Sequence, residues 1–240
     1  MPRLNDLLFK KFETGAIVSI KVQKYLTHHM KKLDKIAAFY NTTAVEYANA
    51  FYTELSYKPF DRSLLQRFAF ENKSKGKIGD LGCGPGQTTK FLSNLGVTDL
   101  VGIDLSASMI EQARVLNPTL AFETGNMISL DKPNEYFGGL IAFYAIVHFD
   151  YDEVEQFLKE ARRLLRDRGQ LLFSFHTGEQ IVSVDDFLGK KVSVDFHFHE
   201  PEKICAIIDE AGFKTIDVIT RFPYKEKEYP SKRSYIIIEK

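Results

Sequence analysis

The sequence has few cysteines and no long apolar run, and each absence excludes a class of protein. Cys83 and Cys205 are the only cysteines in 240 residues; neither lies in a CxxC pair, and two cysteines cannot build a disulfide framework. The longest apolar run, Leu140 to Val147, falls far below the ~20 residues that a membrane-spanning helix needs. The N-terminal residues also lack the apolar stretch of a secretory signal. We therefore expect a cytoplasmic protein without a membrane span.

An excess of charge of one sign is also lacking. The sequence has 32 Lys and Arg against 32 Asp and Glu, so electrostatics give no reason to expect a nucleic-acid partner. The balance is uneven along the chain, because residues 1–35 carry a net charge of +5. We expect this basic segment to be a solvent-exposed helical leader.

From residue 77 onward, short apolar runs alternate with segments of helical periodicity. Strands are predicted at 77–81, 100–104, 120–124, 139–144 and 170–175, with helices at 87–94, 106–118 and 152–165. Repeated β-α-β units predict a parallel sheet with helices on both faces. A helix at 201–211 and strands at 213–219 and 234–239 follow; the last two, joined by a polar connection without a helix, predict a terminal antiparallel hairpin.

Residues 1–60 are expected to form one to three helices as an N-terminal leader and lid, and residues 61–240 the α/β domain. Two apolar stripes at helical spacing support the helices. The first comprises Leu4, Leu7, Leu8 and Phe12, and the second Ile36, Phe39, Tyr40, Ala44, Tyr47 and Phe51.

The most informative stretch is the turn Gly82-Cys-Gly-Pro-Gly86, which follows a predicted strand and precedes a predicted helix. Glycines allow the backbone to approach a ligand that a Cβ would block, and the helix start presents free N–H groups. The dinucleotide motif GxGxxG is excluded, because Gln87 stands where its third glycine is required. No Gly-Lys-Ser/Thr triplet follows, which excludes a Walker-type loop.

Two carboxylates flank this turn. Asp80 lies inside the preceding strand end, where a negative charge repels a diphosphate and attracts an ammonium or sulfonium group. Asp104 closes the next strand and can accept hydrogen bonds from a ribose diol. Each acid alone is open to interpretation as a capping residue. Together with the glycine turn, they favour a site for a positively charged, ribose-bearing ligand.

Residues 77–175, and above all Asp80-Leu-Gly-Cys-Gly-Pro-Gly86, resemble the class I S-adenosylmethionine-dependent methyltransferases. The resemblance implies a Rossmann-like, doubly wound α/β fold with a mostly parallel seven-stranded sheet, a C-terminal antiparallel hairpin and an N-terminal helical lid. It implies S-adenosylmethionine as the cofactor, with Asp80 at the methionine end and Asp104 on the ribose. The implied cofactor-binding residues are Asp80, Gly82, Cys83, Gly84, Gly86, Asp104, Leu105, Met109, Asn126, Met127 and Phe143.

The sequence departs from the family after the third strand, where Asn126 stands in place of the usual acid. In the family that acid accepts a hydrogen bond from the adenine amino group. An amide oxygen can accept the same bond, so the departure leaves cofactor binding possible.

Ligands of open α/β sheets lie beyond the carboxyl ends of the strands. Among the residues that follow the fourth strand, we expect His148 and Tyr144 to be catalytic. A histidine has a pKa of ~6.5 and can take a proton near neutrality, although a structural hydrogen bond is the alternative role. Substrate contacts are predicted at Tyr40, Tyr47, His176 and Arg233.

Two other groups of reactive side chains are interpreted as structural. The segment Val194–Glu200 alternates like a strand, placing Asp195, His197 and His199 on one face. We expect that face to be exposed to solvent rather than to hold a metal, with Phe196 and Phe198 buried. Cys83 has no paired base and is not expected to be a nucleophile. The polar connection between the last two strands is expected to be solvated.

The resemblance implies methyl transfer by in-line displacement, which requires the reacting atoms to be held in line. The tyrosine-rich segment at 40–52 and the insertion after the fifth strand favour a small-molecule acceptor in a covered pocket. Three alternatives stay open: a tRNA or protein methyltransferase served by the basic leader, a catalytically silent S-adenosylmethionine-binding module, and a nicotinamide dehydrogenase. The methylated atom and the oligomeric state, with a homodimer as one arrangement, are undetermined by the sequence.

Overall fold

A computed structural model describes the backbone of residues 15–240 and the side chains of residues 31–240. The apolar stripe predicted at Leu4–Phe12 and most of the basic side chains of the predicted leader lie outside the described residues. Within residues 15–240, three helical elements precede the sheet: α1 (Gly15–Phe51), a short 3₁₀ helix (Glu54–Tyr57) and α2 (Pro59–Asn72). Pro59 stands at the first position of α2, where its missing N–H costs no hydrogen bond.

The strands are β1 (Ile78–Leu81), β2 (Leu100–Asp104), β3 (Ala121–Thr124), β4 (Phe137–Phe143), β5 (Leu165–His176), β6 (Ile181–Phe187), β7 (Lys190–His197), β8 (Lys214–Arg221) and β9 (Arg233–Glu239). Seven of them form a sheet of order β3-β2-β1-β4-β5-β9-β8. Within that sheet β9 runs antiparallel to both of its neighbours, β5 and β8, and the other six strands run in one direction. The predicted mostly parallel sheet with a C-terminal antiparallel hairpin is confirmed.

The other helices are α3 (Gln87–Asn94), α4 (Ala107–Leu116), α5 (Tyr151–Leu164) and α6 (Pro201–Glu210). Local side-chain bonds start two of them: Ser106 accepts from the Met109 N–H at α4, and Asp150 and Glu153 form a capping box at α5. The apolar faces of α5 and α6 pack on one side of the sheet and those of α2 and α3 on the other. The sheet is therefore covered on both faces, and its strand ends are left to form a site.

The insertion after β5 folds into an antiparallel hairpin of β6 and β7 that is separate from the main sheet. Leu188 and Gly189 at its turn both have positive φ, at 52° and 80°, as a tight hairpin turn requires. The hairpin packs on α1, where Ile36 and Phe39 meet Val194. This element places a second layer over the strand ends.

The predicted exposed face at Val194–Glu200 is wrong for His199. The strand ends at His197, and the next residues turn into the protein because the His199 N–H donates to the carbonyl of His176. The imidazole of His199 is only 1% exposed and lies 5.3 Å from the ring of Tyr151 and 5.7 Å from that of Phe175.

In the described part of the chain, no helix is both long and apolar enough to cross a bilayer.

Candidate active site

A cavity of about 500 Å³ lies at the carboxyl ends of the central strands, beneath α1 and the β6–β7 hairpin. Its size is within the range of small-molecule and cofactor sites. The structure brings nearly all of the predicted site residues to its wall: Tyr40, Tyr47, Asp80, Gly82, Cys83, Gly84, Asp104, Leu105, Met109, Asn126, Met127, Phe143, Tyr144, His148, His176 and Arg233.

Gly86 is the one predicted residue that does not line the cavity. It caps the start of α3 with φ of 86°, and a Cβ there would lie 2.8 Å from the ring of Phe122 and 2.9 Å from the Asn117 amide. Gly86 therefore allows close packing behind the turn and does not face the ligand space.

The other two glycines of the turn have different surroundings. A Cβ on Gly82 would lie 2.5 Å from that of Ala145, whereas a Cβ on Gly84 would meet nothing closer than the Tyr47 ring at 3.8 Å. Both residues have positive φ, at 69° and 52°. The bare backbone of Gly84 thus leaves ligand space on the cavity side.

Asp104 ties the turn to the tip of β2. One carboxylate oxygen accepts from the Gly84 N–H at 2.9 Å, and the other accepts from the Ser106 N–H at 2.8 Å. Burial raises the pKa of this carboxyl, although the hydrogen bonds act in the opposite direction. Because a carboxylate offers about four acceptor positions, Asp104 retains capacity for a ligand hydroxyl.

Asp80 lies deeper, with 1% of its surface exposed. The Thr89 hydroxyl donates to its carboxylate at 2.5 Å. Burial raises the pKa of Asp80 to about 7, and the charge of Asp104 acts in the same direction. A cationic ligand group beside Asp80 would therefore favour its ionised form.

The predicted adenine side of the cavity contains Leu105, Met109, Met127 and Asn126. The amide oxygen of Asn126 accepts from the Ile128 N–H at 3.2 Å, which leaves a second lone pair for a ligand amino group.

Cys83 is buried among Ile110, Ala113 and Phe122, and burial raises the pKa of its thiol. This environment disfavours the thiolate that nucleophilic attack requires.

His148 is 4% exposed and is bonded on both ring nitrogens. Its Nε2 lies 2.8 Å from the Tyr40 hydroxyl, and its Nδ1 lies 2.8 Å from the carbonyl oxygen of Asp195. Burial lowers the pKa of His148 to about 4. The imidazole is therefore neutral at physiological pH, and it joins α1, β7 and the segment after β4.

Tyr144, the second predicted catalytic residue, has φ of 51°, an unusual conformation for a residue other than glycine. Its hydroxyl lies 2.8 Å from that of Tyr235 and donates to Asp61 at 3.4 Å. Burial raises the pKa of the Tyr144 phenol. The hydroxyl is thus engaged in a protein network, which points to a positioning role for this residue.

That network was not predicted from the sequence. Arg221 donates to both oxygens of Glu228, at 2.9 and 2.7 Å, and to Asp61 at 2.9 Å. Burial acts to raise the pKa of Glu228, but hydrogen bonds from Arg221 and from the Tyr224 backbone hold it at about 2. The predicted solvated connection between β8 and β9 is therefore wrong around Glu228, whose side chain is buried in this network.

Arg233 and His176 lie where this network meets the cavity. Arg233 is 3.2 Å from Glu228 and donates to the carbonyls of Tyr229 and Ser231. His176 lies 2.7 Å from the Ser231 hydroxyl and stacks on Phe198, and burial lowers its pKa to about 4. Three residues that were not predicted from the sequence also line this end of the cavity: Glu54, Lys58 and Glu228. No sequence pattern marked them as site residues, because they lie far along the chain from the glycine turn.

Tyr47 belongs to an aromatic wall formed by α1 and the hairpin. Its ring lies 4.7 Å from Phe51, 5.9 Å from Tyr40 and 6.4 Å from Phe187. Among the described side chains, no group of three or more His, Cys, Asp or Glu could hold a metal ion. The end of the cavity under α1 and the hairpin is lined mainly by aromatic rings.

Comparisons with known proteins find similarity to methyltransferases. Residues 78–169 match a family model described as a methyltransferase domain. An uncharacterised methyltransferase of Oceanobacillus iheyensis is 30% identical over 100 residues, which cover 42% of this chain and 46% of the relative. Trans-aconitate 2-methyltransferase of Rhodopseudomonas palustris is 34% identical over 100 residues, covering 40% of this chain and 37% of the relative. The chain thus spans less than half the length of these relatives.

A solved structure extends the likeness of the fold to most of the chain. Magnesium protoporphyrin IX methyltransferase of Synechocystis, crystallised with bound S-adenosylmethionine, superposes with a TM-score of 0.66 at 16% identity, covering 87% of this chain and 97% of that one. Residues 78–169 thus match a methyltransferase domain, and most of the chain shares its fold with a solved S-adenosylmethionine-binding methyltransferase.

Proposed function

We propose that the protein binds S-adenosylmethionine beneath the glycine turn and transfers its methyl group to a small-molecule acceptor held under α1 and the hairpin. The observation that carries this proposal is the continuity of the cavity. Asp104 and Gly84 line the same space as Tyr40, His148 and Phe187. A cofactor and an acceptor within it would be neighbours.

The residues at the turn suit this cofactor in charge and shape. Asp104 offers acceptor positions to ribose hydroxyls, and Asp80 offers a carboxylate to the ammonium group of the methionine end. Leu105 and Met109 supply apolar surface for adenine, and the free lone pair of Asn126 accepts from its amino group. When bound, the cofactor supplies an electrophilic methyl group on a positively charged sulfur.

The residues at the other end suit a small acceptor. Tyr40, Phe187 and Phe196 cover the cavity from α1 and the hairpin, and such a cover excludes water and aligns the reacting groups. A tRNA or a folded protein needs an open approach to the methyl group, which this cover obstructs. The small acceptor named for the Rhodopseudomonas relative also supports this choice.

The test is single-turnover incubation with methyl-labelled S-adenosylmethionine. The purified chain is offered the small-molecule, tRNA and protein fractions of an extract of the source organism, and the fraction that gains label is identified. We expect label in the small-molecule fraction and none with Gly84→Val. Label in tRNA or protein would overturn the small-molecule acceptor, and cofactor binding without transfer to any fraction would indicate a silent binding module.

A further inference from the structure

A chain of two hydrogen bonds, through Tyr40 and His148, leads from the end of the cavity proposed for the methyl acceptor to the backbone of β7 at Asp195. The Asp195 carbonyl only accepts hydrogen bonds, so the Nδ1 of His148, 2.8 Å away, carries the proton. The opposite nitrogen, Nε2, is then a lone-pair acceptor, and the Tyr40 hydroxyl at 2.8 Å donates to it. The direction of every hydrogen bond in this chain is thereby fixed.

Both members of the pair are neutral in the free protein. Burial lowers the pKa of His148 to about 4, with Lys32, His197 and Asp195 as the charged or titratable groups that act on it. Burial and the charge of Asp104 raise the pKa of the Tyr40 phenol. Phe39 and Phe196 pack against the imidazole at centroid distances of 6.3 and 4.8 Å, which keeps water from it.

We propose that Tyr40 and His148 form a proton relay for an acceptor that loses a hydroxyl proton, and that this acceptor is a phenol. This inference rests on the proposed methyl transfer. The acceptor O–H bond breaks as its oxygen forms the new bond to the methyl carbon, and the electron pair of the carbon–sulfur bond stays on sulfur. The acceptor proton passes to the Tyr40 oxygen while the Tyr40 proton passes to Nε2 of His148.

The relay keeps the charge of the closed cavity constant. The positive charge that leaves sulfur reappears on the imidazole, where the Nδ1–H bond to the Asp195 carbonyl stabilises it. A carboxylate acceptor has no proton to lose, so a relay would serve no purpose for it. A neutral histidine with a low pKa suits an acidic hydroxyl better than an aliphatic alcohol, and the aromatic wall of Tyr47 and Phe187 fits a planar ring.

The first test needs no activity. In the full chain labelled with ¹⁵N-histidine, NMR titration should show His148 protonated on Nδ1 and uncharged above about pH 5. Tyr40→Phe should shift the Nε2 resonance by removing its donor, whereas Tyr52→Phe, which removes a hydroxyl bonded to Asn117, should leave it unchanged. Protonation of His148 on Nε2 would overturn the relay.

The second test compares matched probes: 4-methylphenol, 4-methylaniline, 4-methylbenzoate and 4-nitrophenol, each with labelled S-adenosylmethionine at pH 8. We expect label on 4-methylphenol, and a loss of kcat of about 100-fold in Tyr40→Phe without a change in affinity for S-adenosylhomocysteine. With 4-nitrophenol, already ionised at pH 8, the loss should nearly vanish, because no proton remains to be moved.

A structural role for Tyr40 predicts equal losses with both phenols, and that result would contradict the relay. Label on the aniline or benzoate probe alone, or on no probe, would overturn the phenolic acceptor. Normal binding of S-adenosylhomocysteine in any of these cases leaves the proposed cofactor site intact, whereas absent binding by the wild type would overturn the proposed function itself.

Discussion

The carboxylate of Asp104 accepts a hydrogen bond from the backbone N–H of Gly84 at 2.9 Å. This bond joins the tip of β2 to the turn between β1 and α3, so two residues twenty positions apart in the sequence form one structural unit. A change in the position of either residue alters the ligand contacts of the other. Cofactor affinity should therefore depend on both residues.

Replacing Asp104 tests the contribution of its carboxylate to cofactor binding. Asp104→Ala removes the proposed acceptor for the ribose hydroxyls and leaves the Gly84 N–H without its partner. A hydrogen bond to a charged group contributes about 1.5–3 kcal/mol. We expect titration calorimetry with S-adenosylhomocysteine to show affinity reduced at least about tenfold. Asp99→Ala is the control, since Asp99 pairs with Lys77 outside the cavity. Equal affinities for both variants would refute the role of Asp104.

Replacing Gly84 tests whether the absence of a side chain in the turn leaves space for the cofactor. Gly84→Val should abolish binding, because a branched side chain enters the ligand space from a backbone with φ of 52°. Gly96→Val is the matched control: Gly96 has φ of 85° and nothing within 4 Å of an added Cβ. Both variants are strained and should lose similar stability in thermal unfolding, but only the first should lose the cofactor. Cofactor binding by Gly84→Val would contradict the assigned position of the ligand.

Local patterns in the sequence were sufficient to predict the helix and the strand that flank Gly84 and Asp104. The bounds predicted for α3 and β2 match the structure, because glycines, a cap and an apolar strand determine them over few residues. The buried pair of Asp61 and Arg221 was beyond such reasoning, since its partners are 160 residues apart and meet only when α2 packs against the β8–β9 side of the sheet. The β6–β7 hairpin had a faint signal in the alternation of Val182 and Val184 and in the turn at Gly189.

The high pKa of Asp80 predicts a pH dependence of cofactor binding. Its folded-state pKa of about 7 lies above the usual ~3.9 of an aspartate, and an ammonium group favours the charged form. Affinity for S-adenosylhomocysteine, which keeps the ammonium group, should therefore fall as pH decreases through about 7. Asp80→Asn should bind more weakly at pH 8 and show a flat profile from pH 6 to 8. A wild-type profile that is equally flat would contradict the contact.

The burial of His199 predicts acid lability. Its pKa is lowered to about 4 by burial, below the ordinary ~6.5, so the unfolded chain binds more protons between these values. Its contribution to stability is therefore lost as pH falls from 6.5 towards 4, with a slope of at most ~1.4 kcal/mol per pH unit.

His199→Phe, placed between Tyr151 and Phe175, should remove this contribution. The difference in free energy of unfolding between the variant and the wild type, measured by urea titration, should grow in favour of the variant below pH 6.5. His148 and His176 shift in the same direction in both proteins, so the difference isolates His199. A difference that is constant from pH 4.5 to 7.5 would show that the imidazole is not desolvated.

The proposed function depends on the cavity being a site for S-adenosylmethionine. Titration of the purified chain with S-adenosylhomocysteine and, in parallel, with NAD measures this most directly. We predict that one equivalent of S-adenosylhomocysteine binds with a dissociation constant in the micromolar range and that NAD does not bind. Absence of S-adenosylhomocysteine binding at millimolar concentration, or a preference for NAD, would contradict it.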